Sequence, residues 1–336
     1  MTTLDTQNPT LADVAKRMDP DGKIDKIVEI LNETNPILED MTFIEGNLPT
    51  GHRTSIRTGL PQPTWRKLYG GVQPTKSTTV QVTDNTGMLE AYAEVDKALA
   101  DLNGNTASFR LSEDRAHIEG MNQEMASTTF YGNEGTEPAA FTGVAPRFNS
   151  LTAENGDNIV NGGSASGQTD NTSIYLIVWG PNTVHGIYPK GSTAGLSIED
   201  KGQVTVENVD GNGGRMEAYR SHYRWDAGLT VRDWRYLVRV ANIDVSELDD
   251  STNGEAARKA LIRHMIEATE RIPQLGMGRA AFYCNRTIRT KLRLGILDKI
   301  ASNLSWETVA GKRIMVFDDI PVRVCDAILN TEDRVV

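Results

Sequence analysis

Histidine, cysteine and glycine are the residue types whose placement in this chain could support catalysis or ligand binding, and their spacing argues against both. The five histidines, His52, His117, His185, His222 and His264, stand apart, and none has a second His or Cys three or four residues on to build a metal face on a helix. His117-Ile118-Glu119 matches the first half of a zinc deaminase signature, but no Pro-Cys-x-x-Cys follows. Cys284 and Cys325 are distant in sequence and lack partners at metal spacing, which fits two reduced, buried thiols. The glycine cluster Gly211 to Gly214 leads into a strand-like segment without the Lys of a phosphate-binding loop, so it reads as a hairpin turn. Gly162 to Gly167 does not satisfy G-x-S-x-G, and no strand leads into it. Asp and Glu number 45, so an acid–base pair could always be drawn, and drawing one carries no information.

Composition narrows the class further. At 336 residues the chain is long enough for roughly two domains at about 150 residues each. Its net charge of −10 and pI near 5.1 repel phosphate and anionic lipid, which excludes a generic nucleic-acid coat. A hydrophobic fraction of 38% spread along the chain is enough for a core. No apolar run approaches the roughly 18 residues of a membrane span, and the opening MTTLDTQNPT has no signal-peptide h-region. A soluble, intracellular product is expected, which makes the Asn-x-Ser/Thr triplets at Asn32, Asn171, Asn285 and Asn303 chance matches.

The charge is not uniform. From Gly46 to Thr83 there is no Asp or Glu, while Arg53, Arg57, Arg66, Lys67 and Lys76 give +5 in a chain of −10, leaving −15 elsewhere. Thr54, Ile56 and Thr58, then Gly and Pro punctuation, then Val80 and Val82 alternating with polar residues, read as a long antiparallel hairpin. Such a hairpin grips nucleic acid, lies across the acidic surface of a neighbouring copy, or is a solvated loop.

Around it, the first 45 residues read as an arm. A capping-box-like start at Thr10 and an apolar stripe of Ile24, Ile27, Val28 and Leu31 mark helical pieces within it. Met88, Tyr92, Val95, Leu99 and Leu102 step by four and three, which predicts a helix stopped at Asn103-Gly104. Asn105 caps a second predicted helix to about Thr129, with Ala107, Leu111, Ile118, Met121 and Met125 on one face. Gly132 to Asn171 is polar and Gly-rich and reads as a long connection. Strands follow at Ser173–Trp179, Val184–Tyr188, Arg215–Trp225 and Tyr236–Val240. A helix capped by Thr252 and Glu255, a strand at Ala280–Cys284, a helix at Asn285–Leu294 and a hairpin around Asp318-Asp319 complete the chain. Strands and helices in blocks make the fold α+β.

Several segments, in order, resemble the major capsid protein of tailed double-stranded-DNA bacteriophages, in the short-tailed, epsilon-fifteen-type branch. They are Gly87-Met88-Leu89-Glu90-Ala91-Tyr92 with Glu94-Val95-Asp96-Lys97, Leu102-Asn103-Gly104-Asn105, and Phe109-Arg110 with Ser112-Glu113-Asp114. Phe130-Tyr131-Gly132, Phe141-Thr142-Gly143 to Pro146-Arg147-Phe148, His185 to Gly191, and Arg239-Val240-Ala241-Asn242-Ile243 continue the series. Each piece is built of ordinary structural residues; their order and spacing over residues 87 to about 245 carry the likeness.

The resemblance implies the tailed-phage major capsid protein fold. Residues 1–45 would be the N-terminal arm and 46–85 the extended E-loop hairpin. Residues 86–150 and 313–336 would form the P domain, with a spine helix over 105–129, and residues 151–312 the A domain. It implies a self-assembling structural protein whose hexamers and pentamers close into an icosahedral shell around packaged double-stranded DNA, without sequence-specific binding. The expected partners are other copies, a portal, and a scaffold or cementing protein, with no membrane. The location implied is the virion, after assembly in the host bacterial cytoplasm. No catalytic, cofactor or metal site is expected. Inter-subunit contact falls to Arg53, Arg57, Arg66, Lys67 and Lys76, and the apolar face of the spine helix to Leu111, Ile118, Met121 and Met125. Neither Lys67 nor Lys76 matches a bond-forming isopeptide pattern, so no covalent crosslink is expected. The alternatives are a nanocompartment shell of the same fold, a phage tail protein, or an intracellular enzyme or ligand-binding protein with an unrecognised site.

Overall fold

The computed structural model describes residues 33–102, 106–165, 167–207, 214–250, 254–297, 304–309 and 312–336. In chain order these form α1 (Ile37–Asp40), β1 (Phe43–Glu45), β2 (Gly51–Gly59), β3 (Thr78–Asp96), α2 (Lys97–Ala100) and α3 (Thr106–Tyr131). Then come β4 (Ile159–Asn161), β5 (Asn171–Trp179), β6 (Val184–Tyr188), β7 (Leu196–Glu207), β8 (Arg215–Val231) and β9 (Leu237–Asp244). The final third holds α4 (Val245–Asp249), α5 (Gly254–Glu270), β10 (Arg279–Cys284), α6 (Arg286–Leu297), β11 (Leu304–Val309), β12 (Lys312–Phe317) and β13 (Ile320–Val324). The block-wise order is α+β, as expected.

These elements group into two compact units, and three of them run from one unit into the other: β3 at Gly87/Met88, α3 at Ala126/Ser127 and β8 at Asp226/Ala227. In the larger unit, β5 is the central strand. All nine of its residues are buried, which is why its sequence is a nearly unbroken apolar run instead of an alternating one. It pairs antiparallel with β10 through Phe282↔Leu176 and with β9 through Leu176↔Val238. Beyond β10 lie β13, β12 and β11. Leu261, Met265 and Ala268 of α5 and Ile288 and Leu292 of α6 close over Ile174, Leu176, Val178, Val238 and Val240 to make the core. The β12–β13 turn uses Asp318 and Asp319 at φ 46° and 65°, the left-handed pair that a tight hairpin needs.

The smaller unit sets most of α3 beside the ribbon of β7 and β8, paired from Leu196↔Trp225 to Glu207↔Arg215. Val95, Ala100 and Phe109 form one small core, with Leu99 and Tyr219 against it. Ala93, Met121 and Tyr223 form a second, with Ile118, Leu196 and Trp225 around it.

Three points differ from the sequence reading. Met88 to Asp96 is strand and not helix; only Lys97–Ala100 turns helical. Met88 and Tyr92, two of the five residues of the supposed stripe, are exposed, whereas Leu89, Ala91, Ala93 and Val95 alternate inward with a period of two. The Gly132–Asn171 stretch is no plain connection: Phe141, Val144 and Phe148 are buried and β4 pairs parallel with β9. Strand β7 follows a charged sequence that showed no strand pattern. Residues 195–226 group with Met88–Ala126 in the smaller unit, where Tyr223 and Leu196 pack with Met121 of α3. The arm pieces at Thr10 and Ile24–Leu31, the Asn103-Gly104 stop, the Asn105 and Thr252 caps and most of the 210–214 turn lie outside the described residues.

Candidate inter-subunit surfaces

The basic segment is a hairpin. Thr54↔Val82 and Ile56↔Val80 are register partners, so the alternation read from the sequence is the register of the pair. Its base is tightly built. A Cβ on Gly51 would lie 2.2 Å from the Asp84 carbonyl oxygen, so only glycine lets the two strands approach there. Asn47 brackets Arg53 from both sides: its Oδ1 accepts from Arg53 N–H at 2.7 Å, and its Nδ2 donates to Arg53 O at 2.7 Å. Arg147 Nη1 meets Asp84 Oδ1 at 2.7 Å, and the same guanidinium donates to the carbonyls of Gly143, Thr142 and Leu229. That carboxylate is 5% exposed, and a charge so buried persists only with such partners.

Two histidines share this base. The rings of His52 and His185 meet edge to face with centroids 5.9 Å apart, and neither Nδ1 has a partner among the described residues. Burial pushes His185 down to about 4, helped by His52 and the Arg232 guanidinium. Burial, then the Arg232 guanidinium, lower His52 against a smaller upward pull from Asp84.

All five cations of the hairpin are exposed. Arg53 Nε donates to Thr83 Oγ1 at 3.2 Å. The side chains of Arg57, Arg66, Lys67 and Lys76 make no hydrogen bond or ion pair among the described residues. Arg57 lines an open groove of about 610 Å³ together with Ile56, Leu60, Glu154 and Trp234. The sequence reading missed the apolar character of the hairpin's tip. Leu60, Trp65, Leu68, Tyr69 and Val72 are all exposed, Trp65 fully so. The signal was present as apolar residues between Gly and Pro with no period to bury them.

The four residues expected on the apolar face of α3 lie in different surroundings. Met121 and Met125 are buried and Ile118 packs against the Met121 core, but Leu111 is 53% exposed. In those first turns the core residue is Phe109, against Val95, Ala100 and Tyr219. The polar side is tied to the ribbon: Arg110 Nη2 meets Asp200 Oδ1 at 2.6 Å, and Tyr223 donates its hydroxyl to Asp114.

The other candidate residues are not assembled into a site. His117 stacks on Tyr223, His222 stacks on Tyr92 and reaches Glu90, and His264 lines a cavity of about 70 Å³. No group of three or more metal-ligating side chains occurs among the described residues. Cys284 ends β10 and Cys325 follows β13; both are buried thiols not joined in a disulfide, and Cys325 N–H donates to Cys284 O at 2.9 Å. Burial pushes the Cys284 thiol up to about 12. No described helix is long and apolar enough to cross a membrane.

Comparison with known proteins finds relatives among phage particles. The chain aligns over 100% of its length with 99% of a chain in the near-atomic-resolution structure of bacteriophage Epsilon15, at 39% identity and a TM-score of 0.79. The bacteriophage JBD30 capsid (9% identity, 89% of this chain and 93% of that one, TM-score 0.47) and the capsid of a native GTA particle (10%, 70% and 99%, TM-score 0.45) are more distant. No curated protein sequence matches it. The family model described as "Major capsid protein GP7" matches residues 19–336. The chain therefore belongs to the GP7 family of major capsid proteins.

Proposed function

We propose that the basic hairpin is the E-loop with which each subunit of the shell reaches over a neighbouring copy, its cations Arg53, Arg57, Arg66, Lys67 and Lys76 meeting carboxylates there. The chain is a structural, non-enzymatic major capsid protein of a tailed phage, a virion component that assembles with copies of itself into an icosahedral shell. One observation carries the proposal: four exposed cations on the hairpin have no side-chain partner among the described residues of their own subunit, in a chain whose remaining residues carry −15. Each such pair is weak at a wet surface, but repetition around a closed shell holds every subunit through several neighbours at once.

In this scheme residues 1–45 are the arm, 46–85 the E-loop, 86–150 and 313–336 a P domain on its spine helix, and 151–312 an A domain. Hexamers and pentamers are the assembly units. A portal and a scaffold or cementing protein complete the particle. The acidity of the rest of the chain keeps packaged DNA from adhering, so the genome enters and leaves freely.

Zero-length carbodiimide coupling of assembled particles tests the contact. Lys67 and Lys76 are expected to couple to Asp or Glu of another subunit; coupling within one subunit alone would contradict it.

A further inference from the structure

We infer that the tip of the hairpin is an apolar plug for a second copy of the chain, anchored by Trp65 and Tyr69. This rests on the shell reading but moves the decisive contact from the cations to the tip. Trp65, Leu68 and Tyr69 are almost wholly exposed, and no core cluster of the described residues includes them. A contiguous apolar patch on a water-facing loop marks an interaction site, and Trp and Tyr are the residues that most often dominate one.

The backbone points the same way. Gly70 N–H donates to Lys67 O at 3.0 Å, closing a turn over Lys67-Leu68-Tyr69-Gly70. Tyr69 occupies the third position at φ 65°, in the left-handed region that Gly or Asn takes there without strain. A tyrosine in that place costs the isolated subunit and is wholly exposed, so packing among the described residues gives no reason for it. Displayed at the head of the turn, it does have a use against another surface.

The occupant is a copy of this chain and not nucleic acid. Arg66 and Lys67 flank the aromatic residues and are drawn to a partner of opposite charge, and the rest of this chain, at −15, is such a partner. A shell of copies also places that partner within reach of every tip.

The test compares Trp65→Ala, Tyr69→Gly and the charge-reversal pair Arg57→Glu/Arg66→Glu, reading the protein concentration at which shells form. Tyr69→Gly is the discriminating variant: it relieves the left-handed residue and removes only an exposed ring, so it cannot weaken the subunit. Circular dichroism melting of the unassembled subunits checks this. We expect unchanged melting for both tip variants and a threshold raised about tenfold, equivalent to about 1.4 kcal/mol per subunit. A change below threefold for Trp65→Ala and Tyr69→Gly overturns the inference. If the charge pair blocks shells in that same experiment, the proposed cation contact stands without the plug; if none of the three alters assembly, both the plug and the cation contact fall.

Discussion

Arg147 Nη1 lies 2.7 Å from Asp84 Oδ1, and this pair joins the foot of the hairpin to the turn after α3. Arg147→Met leaves the carboxylate buried without its cation, and the carbonyls of Thr142, Gly143 and Leu229 without their donor. The subunit should lose about 3–5 kcal/mol in urea unfolding, whereas Asp84→Asn, which still accepts a hydrogen bond, should lose less. Equal stability of Arg147→Met and the parent would show that the pair does not hold the hairpin base.

The two histidines beside it make the subunit acid-sensitive. His185 titrates near 4 and His52 below its ordinary value when folded, so both stay neutral in the native state and bind protons more readily once unfolded. Unfolding therefore takes up protons as pH falls below about 6.5, and their contribution to stability declines from there until pH passes about 4. The groups facing them are Arg232, which opposes protonation of both, and Asp84, which favours it at His52. His185→Asn should flatten the decline by roughly 3 kcal/mol across that window. Parallel stability curves for variant and parent would refute the assignment.

Glu332 ties the C-terminal segment into the core of the larger unit. Its Oε2 lies 2.7 Å from Arg239 Nη2, and it accepts hydroxyls from Ser173, from Tyr131 at 2.5 Å and from Tyr175 at 3.2 Å. Arg239 and Glu332 are 5% and 4% exposed, so Glu332→Ala strands a buried guanidinium. A loss of about 3–5 kcal/mol is expected, measured by denaturant titration. A loss under about 1 kcal/mol would mean that water replaces the carboxylate.

The helix face separates two residues that the sequence made equivalent. Met121→Ala opens a cavity beside Tyr223 and Ala93 and should cost about 2–5 kcal/mol. Leu111→Ser, at an exposed position, should stay within about 0.5 kcal/mol in the isolated subunit. The reverse order would place the helix in a different rotation.

What the sequence displayed depended on whether one periodicity or two were satisfied. The β5 run and the Thr54–Thr58 and Val80–Val82 alternation have a single reading each, and the strands lie there. Met88 to Leu99 satisfies both periods. Met88, Tyr92, Val95 and Leu99 fit a helix, Leu89, Ala91, Ala93 and Val95 fit a strand, and only packing against the unit around α3 chooses the latter. In β7 the run Glu199-Asp200-Lys201-Gly202 hides the strand because its residues face water and its fixing contacts, such as Arg110–Asp200, come from distant sequence. The five cations were legible from composition alone. The apolar tip between them shows only as apolar residues among Gly and Pro, because side chains exposed as these are follow no burial period.

The central claim is that the hairpin's charge is matched by a neighbouring copy and not by its own subunit. Electron microscopy of the purified chain beside Arg57→Glu/Arg66→Glu tests it most directly. The account predicts closed shells or capsomers from the parent, and folded subunits that build neither from the variant, with the parent's particles loosening as salt screens the pairs. Normal shells from the charge-reversed chain would contradict it.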